Sequence, residues 1–103
     1  MEVTYDKENK TLKFKITEEI DHCIAEKIRN RADFEIQKNM PQRIVLDLKD
    51  VEFMDSAGIG MILGRYKTAK LMGSIFTICN VKPPIKKILE MSGVLKIIPI
   101  KED

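Results

Sequence analysis

Apolar and polar residues alternate in the first part of the chain. Leu12, Phe14 and Ile16 fall on one side of an extended segment, and the lysines between them fall on the other. A shorter apolar run, Val3 to Tyr5, comes before it. The polar segment DKENK between the two runs contains residues typical of tight turns. This pattern predicts a β-hairpin at the start of the chain.

The next segment has the spacing of a helix. Asp21 stands at its start as a predicted N-cap, and Pro41 ends it. Its apolar positions recur about every four residues, at Ile20, Ile24, Ile28, Ala32 and Ile36. Such a stripe predicts an amphipathic first helix that packs one side against a core.

Two further strand and helix pairs follow. The segment RIVLDL is almost continuously apolar, which predicts a strand buried on both faces. A second helix is predicted from Ala57 to Met72, with Gly73 as the residue that ends it. SIFTICNV predicts another strand, and Pro83 and Pro84 suit the first turn of a short helix. KIIPI predicts a last strand, which Pro99 restricts to the edge of the sheet.

Strands that alternate with helices predict an α/β fold. We expect one domain over residues 1–103, with a small mixed β-sheet, parallel crossovers and helices packed on the sheet. With 44% hydrophobic residues, the chain has enough apolar side chains for a single core.

Composition argues against several classes of partner and cofactor. Charged residues make up 33% of the chain, but they are interspersed and the net charge is only +2, so we expect no direct nucleic-acid binding. His22, Cys23 and Cys79 are too few and too far apart for a zinc site, and we expect no metal or other cofactor. No segment resembles a signal peptide or a membrane span, so we expect a cytoplasmic protein without membrane contact.

Candidate chemistry concentrates in the stretch FMDSAGIGMILGRYK, from Phe53 to Lys67. Ser56 follows a short apolar element and precedes a helix, the position where α/β sheets gather ligands. A helix N-terminus offers free backbone N–H groups, so a serine there can hold a phosphate, bound or covalent. Serine is also a favoured N-cap, worth roughly 1 kcal/mol. The pattern alone favours the cap.

Two enzymatic interpretations are weaker. A serine hydrolase would need His22 as its base, but nothing local orients that side chain, and the G-x-S-x-G pattern is absent. A nucleotide-hydrolysing loop is also unsupported, because Gly58 and Gly60 belong to neither G-x-G-x-x-G nor a P-loop with its lysine.

Three glycines in one helix need an explanation, because each costs roughly 1 kcal/mol relative to alanine. Gly58, Gly60 and Gly64 are explained either by close packing of helix on sheet or by close approach of a partner, and the two explanations can hold for different glycines. Met61 falls off the apolar stripe, which predicts an exposed interface residue. Cys23 is predicted to be a small core residue.

Negative charge is expected around Ser56. If the two helix starts lie together, Asp21 and Asp55 both come near the serine. Asp21 is interpreted equally well as a simple N-cap or as part of such a site.

The stretch MDSAG resembles the signature of the anti-sigma factor antagonists, the bacterial branch of the STAS domain family. The segment from Glu19 to Ile28, EIDHCIAEKI, is similar to the Glu-Leu-Asp segment of that family. ILGRYK and MSGVLKII resemble the members that act in the sporulation pathway of sigma F. Two positions depart from the pattern: Ala57 stands where many members have a second serine, and Glu18 where many have glycine.

The resemblance implies a binding protein without enzymatic activity. In its unphosphorylated form it would bind an anti-sigma factor that is a nucleotide-bound serine kinase, and the sporulation sigma factor would be released. The kinase would phosphorylate Ser56, and a serine phosphatase would restore it. The partner-binding residues implied are Asp21, Asp55, Ser56, Ala57, Gly58, Gly60 and Met61. The alternative is a phosphoregulated STAS scaffold, or an antagonist in a general stress-response partner-switching module.

Overall fold

The computed structural model describes residues 1–101, which fold into one five-stranded sheet with helices packed on it. The strands lie side by side in chain order, from β1 to β5. The strands are β1 (Glu2–Asp6), β2 (Thr11–Lys15), β3 (Arg43–Asp47), β4 (Ile75–Cys79) and β5 (Ile100–Lys101). The helices are α1 (His22–Asn39), α2 (Ser56–Met72) and α3 (Pro83–Met91), followed by a short 3₁₀ helix, Val94–Lys96.

The predicted hairpin is confirmed. β1 and β2 pair antiparallel, with Glu2 opposite Lys15 and Asp6 opposite Thr11. The Asp6 carboxylate accepts hydrogen bonds from the Asn9 side chain at 2.7 Å and from the backbone N–H groups of Glu8 and Asn9 at 3.0 and 3.2 Å. The bond from the Asn9 side chain does most to lower the pKa of Asp6, because it stabilises the ionised carboxylate. The turn is therefore held by the short polar segment that the sequence singled out.

The remaining strands are parallel, and each is reached through a helical crossover. Successive right-handed crossovers that move in one direction across a sheet bring their helices to the same face. The helix-covered face carries the buried side chains of Leu12, Phe14, Ile44, Leu46, Phe76 and Ile78.

The other face of the sheet carries polar side chains and is only partly buried along β3, where Arg43 is exposed, so the prediction that the RIVLDL strand is buried on both faces is wrong. Val45 is only half-buried there. Asp47 is 4% exposed, but its carboxylate accepts a hydrogen bond from the Lys49 N–H at 2.9 Å and lies 3.7 Å from the Lys13 ammonium group. This face carries charge, because no helix covers it.

The predicted helix ends agree with the structure. Gly73 follows α2 in the left-handed conformation, with φ of 76°, and its N–H donates to the carbonyl of Lys70. Pro83 and Pro84 occupy the first turn of α3. The last strand, β5, lies at the edge of the sheet as predicted. It spans Ile100–Lys101 instead of the KIIPI segment, whose first residue, Lys96, ends the 3₁₀ helix.

An ion pair joins α1 to α2. Nε of Arg65 lies 2.9 Å from Oδ1 of Asp33, and the Arg65 side chain is only 11% exposed. The N–H groups are poorly aligned, so neither Nε nor Nη1 of Arg65 has a hydrogen-bond partner within residues 1–101. Burial lowers the pKa of Arg65, and the negative charge of Asp33 opposes that shift. Charge attraction therefore holds this helix contact.

Candidate functional site

Ser56 is the first residue of α2, and its side chain is exposed. The helix is capped by the residue before it. Asp55 has extended backbone angles, and its carboxylate accepts hydrogen bonds from the N–H groups of Ala57 at 2.8 Å and Gly58 at 3.4 Å. The interpretation of Ser56 as the N-cap is therefore wrong, because the aspartate already satisfies the free N–H groups of the first turn.

The hydroxyl group of Ser56 differs in its hydrogen bonding from those of the other two serines of the chain, Ser74 and Ser92. Ser74 donates its hydroxyl to the carbonyl of Pro41 at 2.6 Å, and Ser92 donates to the carbonyl of Leu89 at 2.9 Å. No hydrogen bond within the described part of the chain engages the hydroxyl of Ser56. Ser56 thus presents a free nucleophilic oxygen to solvent at the start of a helix.

The start of α1 lies beside the start of α2. The loops before the two helices pair in parallel: the Ile20 N–H donates to the carbonyl of Phe53, and the Asp55 N–H donates to the carbonyl of Ile20, each at 3.0 Å. Asp21, the next residue, caps α1 by accepting a hydrogen bond from the Ile24 N–H at 2.9 Å. The prediction that Asp21 is an N-cap is confirmed.

A shallow groove of about 360 Å³ runs between the two helices from this end. On the α2 side, its lining includes Ala57 and Gly60, which follow Ser56 by one and four residues. Its full lining is His22, Ala25, Glu26, Arg29, Ala57, Gly60 and Met61. The groove therefore brings four residues of α1 alongside the candidate serine.

Two predictions about individual side chains near the site are wrong. Met61 is only 5% exposed, because α1 packs alongside α2 and covers a second side of that helix. Cys23 is exposed at the first turn of α1 instead of lying in the core. Cys79 is the buried cysteine.

The glycines of α2 divide into two kinds. Gly58 is buried, and a Cβ there would overlap the side chain of Met54 and lie 3.0 Å from Cγ2 of Ile20. A Cβ at Gly60 or at Gly64 would meet no atom within 4 Å. Close packing therefore explains Gly58 only.

Within residues 1–101, no three His, Cys, Asp or Glu side chains come together as metal ligands would. In the same range, no helix is both long enough and apolar enough to cross a membrane. His22 lies at the same end of the molecule as Ser56, as an exposed residue of the groove.

Comparison with known proteins identifies the family. A model of the STAS domain matches residues 2–103. The chain belongs to the STAS domain family. It is 42% identical over 89 residues to the anti-sigma F factor antagonist of Paenibacillus polymyxa, which covers 86% of this chain and 76% of that protein. It is 29% identical over 84 residues to the anti-sigma-B factor antagonist of Listeria monocytogenes, which covers 81% of this chain and 72% of that protein.

Solved structures show the same STAS fold. The unphosphorylated form of the anti-sigma factor antagonist SpoIIAA superimposes with a TM-score of 0.80 at 24% identity, over 92% of this chain and 81% of that one. The resemblance to the anti-sigma factor antagonists and the α/β fold, with its small mixed sheet, are confirmed.

Some residues of this STAS domain site were not predicted. Glu26 and Arg29 line the groove, and their helical spacing of four and then three residues from His22 was the signal that could have indicated them. Phe53 was also not singled out, although it is a large apolar residue three positions before the serine.

Proposed function

We propose that this STAS domain is an anti-sigma factor antagonist controlled by phosphorylation of Ser56. In the unphosphorylated form it binds an anti-sigma factor that is also a serine kinase, with nucleotide bound, and the sporulation sigma factor is released. The kinase transfers the γ-phosphoryl group of ATP to Oγ of Ser56, leaving ADP, and the complex dissociates. A separate serine phosphatase then hydrolyses the phosphate ester and restores the hydroxyl. The protein itself catalyses no reaction.

The observation that carries this proposal is the free hydroxyl of Ser56. Asp55 caps the helix, so the hydroxyl of Ser56 is not needed as a cap. Its two counterparts, Ser74 and Ser92, are engaged by backbone carbonyls. Among the three serines of the chain, Ser56 is therefore the one whose oxygen can enter a kinase active site without breaking a hydrogen bond of the fold.

The docking surface that we propose surrounds this serine. It comprises the exposed Asp21, the partly exposed Asp55 and Ala57, and Gly60, which leaves room for a close approach. Met61 contributes at the floor of the groove, while Gly58 lies beneath the surface and supports it by packing on Met54.

Phosphorylation switches binding through charge. A phosphate adds about −1.5 to −2 charges at neutral pH. In the free protein, a dianion at the first residue of α2 gains roughly 0.3–1 kcal/mol from the helix dipole, so the fold persists. In the complex, the same charge must lose its water beside the Asp55 carboxylate. Repulsion and desolvation then cost several kcal/mol, and about 4 kcal/mol corresponds to a thousandfold loss of affinity.

Variants of Ser56 test the proposal with the anti-sigma F factor encoded in the same genome. Calorimetry is expected to give similar affinities for the wild type and Ser56→Ala. It should give clearly weaker binding for Ser56→Asp, by less than the thousandfold expected of phosphate because aspartate adds only one charge. Ser92→Asp carries the same change of charge away from α2 and should bind like the wild type. Mass spectrometry after incubation with ATP should place phosphate on Ser56 alone. Phosphate on another residue, or wild-type affinity of Ser56→Asp, contradicts the proposal.

A second candidate is antagonist function in a general stress-response module, including a phosphoregulated scaffold. The 29% identity to the anti-sigma-B factor antagonist of Listeria monocytogenes supports it. The 42% identity to an anti-sigma F factor antagonist favours the sporulation pathway. A pull-down from cell extract that recovers an anti-sigma-B factor instead of an anti-sigma F factor would decide for the stress-response function.

A further inference from the structure

Phe53 exposes an aromatic ring in the loop between β3 and α2. Its exposed fraction is 52%, whereas its neighbours Val51 and Met54 are 0% and 3% exposed. The loop therefore has access to the core at two positions, yet its largest apolar side chain points largely into water. Core packing accounts for Val51 and Met54, but it does not account for an exposed phenylalanine.

The loop holds this ring in a fixed place. The carbonyl of Phe53 accepts a hydrogen bond from the Ile20 N–H at 3.0 Å, and two residues later the Asp55 N–H donates to the carbonyl of Ile20. On the other side, the Glu52 carboxylate lies 3.0 Å from the Lys82 ammonium group. Because this backbone is already ordered, binding of the ring by a partner costs little conformational entropy. Such preorganisation is typical of residues that contribute strongly to binding.

Phe53 is also unique in its location. The exposed large apolar side chains within residues 1–101 are Phe34, Met40, Phe53, Leu71, Ile75, Met91 and Ile97. The strands that follow α1, α2 and α3 are parallel, so helix ends and strand starts lie together at the amino edge of the sheet. Phe53 alone lies at the carboxyl edge, the edge of Ser56.

Chain geometry keeps the backbone of Phe53 within reach of a partner that engages Ser56. Ser56 is three positions after Phe53, so the two Cα atoms lie within about 11 Å of each other. A standard protein interface buries about 800 Å² on each partner, which is a disc of roughly 16 Å radius. A partner centred on Ser56 therefore covers Phe53 as well.

We propose that Phe53 is the apolar anchor of the docking surface and that its ring enters an apolar pocket on the kinase beside the active site. This inference rests on the function proposed above and names the chemistry of that partner: a pocket sized for an aromatic ring, next to the site that accepts Ser56. Phe53 does not touch the reacting oxygen, so it acts in recognition and not in phosphoryl transfer.

Phosphorylation kinetics with the anti-sigma F factor of the same genome and ATP test the anchor. Phe53→Ala is expected to raise KM roughly 10- to 50-fold and to leave kcat unchanged, since the lost contact is equal in ground and transition states. Phe34→Ala is the matched control, because Phe34 is 62% exposed but lies twelve residues into α1, about 18 Å from its start.

A second variant guards against loss of folding. Phe53→Tyr keeps the ring and its intramolecular contacts, and the added hydroxyl has access to water in the free protein. It should leave the thermal midpoint unchanged and raise KM several-fold, because an apolar pocket cannot satisfy the hydroxyl. Wild-type KM for both Phe53 variants overturns the anchor and leaves the proposed function intact. Failure of the wild-type chain to bind or be phosphorylated overturns both.

Discussion

The three glycines of α2 should respond to alanine in opposite directions. Gly60 and Gly64 lie in the interior of the helix, and a Cβ at either position meets no atom within 4 Å. At Gly58 the added Cβ overlaps Met54, which is 3% exposed and cannot swing into solvent. The same substitution therefore tests helix propensity at two sites and packing at the third.

The expected magnitudes follow from these environments. Alanine is favoured over glycine by about 1 kcal/mol in a helix interior, so Gly60→Ala and Gly64→Ala should each stabilise the fold by about that amount. Overpacking a core costs about 1–3 kcal/mol. Helix propensity offsets about 1 kcal/mol of this cost, so Gly58→Ala should lower the free energy of unfolding by up to about 2 kcal/mol.

Urea denaturation followed by circular dichroism measures all three variants against the wild type. The midpoint should rise for Gly60→Ala and Gly64→Ala and fall for Gly58→Ala, with an unchanged slope. By thermal melting, 1 kcal/mol corresponds to a shift of about 4 °C or somewhat more for a chain of this size.

Binding to the anti-sigma F factor then separates the two stabilised variants. Gly60 lines the groove beside Ser56 and Gly64 does not, so only Gly60→Ala should weaken binding, by about tenfold or 1.4 kcal/mol. If Gly58→Ala stabilises the fold as much as Gly64→Ala does, packing on Met54 is not the reason for that glycine. Equal affinities of Gly60→Ala and Gly64→Ala would remove Gly60 from the docking surface.

Two further predictions concern single carboxylates. Asp55→Ala should lower the free energy of unfolding by about 1 kcal/mol in urea denaturation, because the first turn of α2 loses its cap. The control is Asp50→Ala, which removes an exposed carboxylate that caps no helix and should lower the free energy of unfolding by less than half as much. Asp33→Asn should cost about 1–2 kcal/mol, because it leaves the Arg65 guanidinium group without a counter-charge, though partial exposure keeps the cost below that of a fully buried pair. Replacing both partners, in Asp33→Asn with Arg65→Met, should recover most of that loss, and a double variant as unstable as the single one would contradict this account.

Local patterns in the sequence determined the order and type of the elements. The alternation at Leu12 and Phe14 gives one buried side of β2, and the four-residue spacing of Ile28, Ala32 and Ile36 gives the buried stripe of α1. Gly73 ends α2 because its left-handed backbone suits glycine. These features depend on residues within one or two turns of each other, so a single sequence contains them. The signature around Ser56 is likewise local, and it is sufficient to indicate the family.

Tertiary structure decided which side chains face the site. Asp55 and Ser56 are both good N-caps, and the choice between them depends on where α2 begins. The backbone hydrogen bonds of Ile20 with Phe53 and with Asp55 fix that position from another part of the chain. Met61 is buried because α1 lies along α2 and closes a side that periodicity leaves open. Cys23 is exposed at the first turn of α1, where no neighbouring element covers it. The difference is physical: helical spacing fixes the directions of side chains around one axis, but only the packing of other elements determines which of those directions meet protein and which meet water.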